Sequence, residues 1–221
     1  MKALLFDMDG VLVDVSQSYR LAIKKTAEFF INKTISEKTI QDIKNKPGFN
    51  NDWNATAEII REAGKRLPQK KIIEKFQEFY LGKDFDGFIK NEIWLLKKEV
   101  VASISKEYRL GIVTGRPRIE AEYALKASGQ EEYFDVLITM DDLEAEKPNP
   151  LLLKVALQQL ECKEGYYFGD VADDMTMANN ANVIAIGVLP PKADKGLKDL
   201  LKDAGASYIL EDINKLKEVL T

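Results

Sequence analysis

The sequence predicts an α/β fold: a parallel sheet with helices on both faces, interrupted after its first strand by an all-helical insertion. Three observations predict it. Short apolar runs alternate with amphipathic helical patterns through the second half of the 221-residue chain. Those runs are near-continuous rather than alternating, as in strands covered on both faces. One further apolar run, at the N-terminus, is separated from the others by residues 16–91, which carry helical periodicity and no strand signal.

The first strand, Lys2–Phe6, has no partner nearby and must join the later sheet. Ser16 is the expected N-cap of a helix on which Tyr19, Ile23, Ala27 and Phe30 recur at three- and four-residue steps. A second helix is expected over Glu37–Lys44, then a turn-rich loop, Lys46-Pro47-Gly48-Phe49-Asn50-Asn51-Asp52-Trp53. Helices over Asn54–Lys65 and Gln69–Leu81 follow, and Gly82–Asn91 reads as a connection. Strands are expected at Leu110–Val113, Val136–Ile138, Tyr166–Phe168, Val183–Ile186 and Tyr208–Leu210. The helices between and around them are Leu95–Glu107, Ile119–Ser128, Pro150–Leu160, Asp174–Asn180, Gly196–Ala204 and Ile213–Leu220. The chain therefore divides into a sheet-bearing core, residues 1–15 and 92–221, and a helical cap, residues 16–91, set as a lid at the carboxyl end of the first strand. Val13–Val15 and Lys90–Ile93 are the expected hinges.

Composition narrows the function. Apolar residues are 45% and charged residues 31%, a globular balance, and the formal net charge of −4 excludes the basic footprint of a nucleic-acid binder. Lys24-Lys25 and Lys97-Lys98 are short basic pairs on solvated faces. With Cys162 as the single cysteine, no disulfide forms within the chain. Met1-Lys2 runs directly into a short strand, and no apolar run approaches membrane-spanning length, so a reducing cytoplasm is expected. The absence of histidine excludes His-ligated zinc, Ser-His-Asp triads and imidazole acid–base chemistry. Proton transfer near neutral pH is left to carboxylates, lysines or the thiol.

Four strand-end segments carry candidate chemistry. Phe6-Asp7-Met8-Asp9-Gly10 ends the first strand, where open α/β sheets bind ligands. Residues two apart in a strand share a side, so Asp7 and Asp9 would repel across one crevice unless a proton or cation holds them. Mg²⁺, a hard cation with oxygen ligands, suits them, and Gly10 permits the turn. A solvated turn would use the same residues. Thr114-Gly115-Arg116 offers hydroxyl and amide donors before a helix, fit for phosphate or for an N-cap. Glu146-Lys147-Pro148-Asn149-Pro150 places a lysine in a proline-bounded loop. In Phe168-Gly169-Asp170-Val171-Ala172-Asp173-Asp174, Asp170 and Asp174 lie four apart and either face one cation or cap a helix. Asp141-Asp142 reads as a turn. Capping does not explain an acid pair, Thr, Lys and a second acid pair at four ends of one sheet. A Mg²⁺ site for a phosphorylated ligand does.

In this order, with one insertion of the right size, the motifs resemble the haloacid dehalogenase superfamily, in the phosphatase, phosphoglycolate phosphatase and β-phosphoglucomutase-like group with a helical cap after the first strand. The resemblance covers essentially the whole chain and implies a Rossmann-like core. It implies that Asp7 is the nucleophile and that Asp9 is general acid, then base, with its backbone carbonyl on the metal. Thr114 would bind the transferring phosphoryl group with Gly115 and Arg116 beside it, and Lys147 would neutralise charge. Asp170 would ligate Mg²⁺ with Asp7, and Asp174 rather than Asp173 would complete the shell. Substrate choice falls to the cap, where Asn50 offers hydrogen bonds and Trp53 a flat apolar surface, unless Phe49 and Trp53 are cap core. Arg118 either reaches phosphate or makes a helix-surface ion pair. The dehalogenase branch lacks an acid at the position of Asp9, so phosphoryl transfer is expected. The implied activity is Mg²⁺-dependent hydrolysis of a small phosphorylated metabolite through an aspartyl-phosphate, by a monomer or homodimer without nucleic-acid or membrane partners. A sugar-phosphate mutase would keep the same residues. A non-catalytic phospholigand-binding module would have lost Asp7, Asp9 or Lys147, and all three are present.

Overall fold

The computed structural model describes residues 1–220 apart from 45, 47, 48, 50, 192 and 195. The chain forms two compact units, Met1–Asp14 with Ile93–Thr221, and Val15–Glu92. It opens with β1 (Ala3–Phe6), whose four residues are wholly buried, and the two-residue β2 (Val13–Asp14).

The unit from Val15 to Glu92 contains α1 (Tyr19–Ile31), α2 (Glu37–Lys44), α3 (Asp52–Glu62) and α4 (Gln69–Tyr80), followed by a 3₁₀ turn at Phe88–Asn91. Tyr19, Ala22, Ile23, Thr26, Ala27 and Ile31 form the buried stripe of α1, which packs on α3 and α4. The Tyr19 and Tyr80 rings stack at 4.3 Å. Glu92 Oε1 accepts hydrogen bonds from Ser18 Oγ at 2.8 Å and from the Tyr80 hydroxyl at 2.9 Å, joining the start of α1 to the end of α4. This moves the expected helix start. Ser16 is not the cap; α1 begins after Ser18, whose hydroxyl is committed to Glu92 and to Val15 O. Asn51 caps α3 by accepting from the Trp53 and Asn54 amides at 3.0 and 3.1 Å, so that helix starts at Asp52, earlier than its apolar periodicity suggests.

The other unit resumes with β3 (Ile93–Trp94), which pairs antiparallel with β2. Then follow α5 (Lys98–Ile104), β4 (Arg109–Val113), α6 (Arg118–Ser128), β5 (Val136–Ile138), α7 (Leu151–Gln159), β6 (Gly165–Gly169), α8 (Ala172–Asn180), β7 (Ile184–Val188), α9 (Leu197–Asp203) and β8 (Tyr208–Leu210). The six-stranded sheet is ordered β5-β4-β1-β6-β7-β8, and every pairing in it is parallel. From β1 the chain builds outward on one side, then returns to the opposite side with β6. The reversal therefore falls at β1, where a crevice opens beyond the strand ends. Just below that edge the Phe6 and Phe168 rings stack at 4.9 Å. Burying Phe6 is worth about 1.5–3 kcal/mol and the stack adds about 0.5–1.5 kcal/mol, so the floor of the crevice is stiff.

Two expected helices differ. Leu95–Lys97 does not start α5, because Asn214 takes the Leu95 carbonyl and the Lys97 amide, and Gln130 takes the Leu96 carbonyl. The C-terminal segment is a 3₁₀ helix, Ile213–Glu218, begun by Asp212 accepting the Asn214 amide at 2.9 Å. No helix among the described residues is long and apolar enough to cross a membrane.

Candidate active site

Parallel register brings the motifs to one edge. Phe6 pairs with Ile112 of β4 and with Phe168 of β6, so Asp7, Thr114 and Asp170 all emerge just beyond adjacent strand ends. The Asp7 amide donates to Phe168 O at 2.8 Å, and the Thr114 amide to Ile138 O at 2.9 Å, which fixes both residues to the sheet. Carboxylate oxygens of Asp7, Asp170 and Asp174 lie within 4.8 Å of one another. Lys147 Nζ sits 2.8 Å from Asp7 Oδ1 and 2.8 Å from Asp174 Oδ1, with its side chain 12% exposed. Asp173 lies outside this cluster, although its spacing from Asp170 differs from that of Asp174 by one residue.

Asp174 is fully buried and heavily coordinated. Its Oδ2 accepts from the Asp170 and Val171 amides at 3.1 and 3.3 Å, and Tyr167 Oη lies 3.2 Å from Oδ1. The Tyr167 hydroxyl also lies 3.0 Å from Val113 O. Sequence reading missed this tyrosine, which looks like one more apolar strand residue. Two glycines make the close approaches possible. Gly10 has φ +74, and a Cβ there would overlap the Asp170 carboxylate. A Cβ on Gly169 would overlap the Asp174 side chain.

The charges of the site act on one another at close range. Burial, with Asp174 and Asp9 adding to it and Lys147 opposing it, lifts the Asp7 carboxyl from 3.8 to about 7. Burial beside Asp7 and Asp174 holds Asp170 well above the usual carboxylate range. Burial works against the Lys147 ammonium, but Asp174 and Asp7 outweigh it and keep that group charged. Burial, then Asp174, raises the Tyr167 phenol.

Asp9 stands apart from the acid cluster. Its Oδ1 lies 2.5 Å from both Nε and Nη2 of Arg116, whose side chain is 1% exposed. Sequence reading set Arg116 beside phosphate; in the structure its guanidinium lies on Asp9. The pair spans 107 residues, and no local signal announces it. Thr114 Oγ1 accepts from the Arg116 amide at 3.2 Å, and an oxygen that accepts there keeps its own proton for donation. Gly115 is exposed with open space around its Cβ position, so it offers a backbone amide rather than clearance. Arg118 pairs with Asp142 at 2.6 Å and Glu122 at 3.1 Å, the surface arrangement weighed against a phosphate role. In the other unit Trp53 is half-buried in the first turn of α3, and Asn50 lies outside the described residues.

These residues fit a divalent cation. Four carboxylates face two cationic side chains, leaving two negative charges that one such ion neutralises. The donors are all oxygens, as Mg²⁺ requires.

A buried acid cluster with a shared lysine lies at the reversal point of a parallel sheet, where such folds bind ligands. The chain belongs to the haloacid dehalogenase-like hydrolases, whose family model matches residues 4–188. It is 30% identical over 226 residues to the imidazoleglycerol-phosphate dehydratase of Phytophthora nicotianae, covering 95% of this chain and 50% of that protein. The chain thus spans about half the length of that relative. It is 28% identical over 180 residues to the pyrophosphatase PpaX of Bacillus thuringiensis, covering 80% of this chain and 78% of that one. A predicted phosphoglycolate phosphatase from Haemophilus somnus superposes with a TM-score of 0.81 at 20% identity, covering 99% of this chain and 97% of that chain, a likeness of fold.

Proposed function

We propose that this chain is a Mg²⁺-dependent phosphoric monoester hydrolase that acts on a small phosphorylated metabolite through an aspartyl-phosphate on Asp7. The observation that carries the reading is Lys147 bridging Asp7 and Asp174 at 2.8 Å each, inside a carboxylate group that includes Asp170. Asp7, Asp170 and Asp174 would hold Mg²⁺ together with the backbone carbonyl of Asp9. Bound there, the cation would offset the carboxylate charge that otherwise repels an incoming phosphate dianion.

Asp7 forms a bond to phosphorus as the bond to the leaving oxygen breaks. Asp9 gives that oxygen its proton, then takes a proton from the water that attacks phosphorus and frees Asp7. Lys147 holds Asp7 and spreads charge from the transferring group, and the Thr114 hydroxyl donates to a phosphoryl oxygen. With no histidine in the chain, the proton transfers rest on Asp9. Trp53 and Asn50 remain candidates for recognising the rest of the substrate.

The test is phosphate release from sugar phosphates, nucleotides, phosphoglycolate and pyrophosphate, with Mg²⁺ and again with EDTA. Turnover of at least one compound that EDTA abolishes supports the reading. Turnover indifferent to EDTA, or none on any compound, refutes it.

A further inference from the structure

We infer that Arg116 is a positioning residue for Asp9, fixing the carboxyl group that handles the leaving-group proton. The inference rests on the hydrolase reading. Arg116 is among the largest fully buried side chains of the protein, and a guanidinium so enclosed needs an anionic partner. Two of its nitrogens converge on Asp9 Oδ1 at 2.5 Å. Its backbone is itself anchored on both sides: the amide donates to Thr114 Oγ1 at 3.2 Å, and the carbonyl accepts from the Met140 amide at 3.1 Å. Pro117 further restricts residue 116 to extended backbone. The fork is therefore held by the segments after β4 and after β5, and it sets the side-chain direction of Asp9 against the sheet. The backbone of Asp9 is bridged to Val13, but its side chain is 36% exposed, so the fork fixes the carboxyl group rather than the chain. The anchor on Thr114 ties the same fork to the phosphoryl-binding hydroxyl, so the position of the proton donor is registered to the position of phosphorus.

A residue acting through Asp9 affects substrates in proportion to their need for a proton on the leaving oxygen. The experiment compares an alkyl phosphate with p-nitrophenyl phosphate, whose leaving group departs unprotonated, using stopped-flow bursts so that the first chemical step is read alone. Arg116→Met should lower the alkyl rate constant about 10²-fold, within the range of a lost general acid. The p-nitrophenol burst should fall less than about threefold. Arg116→Lys keeps charge and stem without the fork, so it guards against a misfolded Met variant and should show a smaller loss of the same selectivity. In an Asp9→Asn background, Arg116→Met should cost the alkyl ester nothing further. Equal losses on both esters, or full additivity with Asp9→Asn, would overturn the inference in favour of a structural or phosphate-binding arginine. Wild-type protein that releases phosphate neither from these esters nor from any compound of the substrate screen would instead sink the hydrolase reading itself.

Discussion

Replacing Lys147 by methionine removes a cation that Asp7 and Asp174 share while keeping most of its buried volume. Both ion-pair contacts are 2.8 Å, and the partners are 8% and 0% exposed, so solvent cannot take over the lost role. Breaking such a buried pair costs about 3–5 kcal/mol. The cost depends on pH through Asp7. Its carboxyl is raised in the folded state from 3.8 to about 7, so its contribution to stability is present below about pH 4 and lost as pH rises to about 7. Without Lys147 that value climbs further, and a protonated Asp7 no longer needs a cation. The variant should therefore lose about 3 kcal/mol at pH 8, or roughly 6–12 °C in Tm, and less at pH 5.5, where the Asp174 contact is lost but the Asp7 charge is already absent. Thermal unfolding of metal-free protein at the two pH values reads this directly. A loss under about 1 kcal/mol at pH 8, or equal losses at both values, would refute the electrostatic account of the site.

Asp7→Asn should abolish turnover while the folded state survives, as checked by phosphate release and circular dichroism; substantial remaining activity removes Asp7 from its role. Mg²⁺ should raise Tm more at pH 8 than at pH 5.5, because the raised Asp7 carboxyl must lose its proton to bind metal. Gly10→Ala should cost about 1–3 kcal/mol through its positive φ and, by pushing on the Asp170 carboxylate, weaken the Mg²⁺-induced rise in Tm. Incubation with a hexose 1-phosphate should release free phosphate; accumulation of the isomeric sugar phosphate would mean a mutase instead.

The sheet was legible because each of its strands is a compact apolar run and most of the helices repeat a buried stripe, α9 with Leu201 alone being the exception. The order of strand-end motifs was legible because parallel topology sends alternate chain segments to the same edge. What stayed hidden depends on pairings between distant residues. β2 and β3 have two residues each, too short for any periodicity, and exist only because Val13 meets Trp94. The start of α5 is set by Asn214 and Gln130 claiming backbone groups that an isolated segment would use for a helical turn. Ser18 rather than Ser16 precedes α1 because Glu92, far along the chain, holds its hydroxyl. Within the site, the acids and Lys147 announced themselves by type and spacing. The pairing of Arg116 did not, since its partner Asp9 is reached only through the fold, and Tyr167 was masked by the apolar run around it.

The central claim is that Asp7 carries the phosphoryl group between substrate and water. Borohydride reduces an acyl-phosphate and converts the aspartate bearing it to homoserine, which peptide mass spectrometry locates. With substrate and Mg²⁺ present, homoserine should form at position 7, and it should be absent when EDTA is added first. Homoserine at another acid, or none while phosphate release continues, would contradict the account.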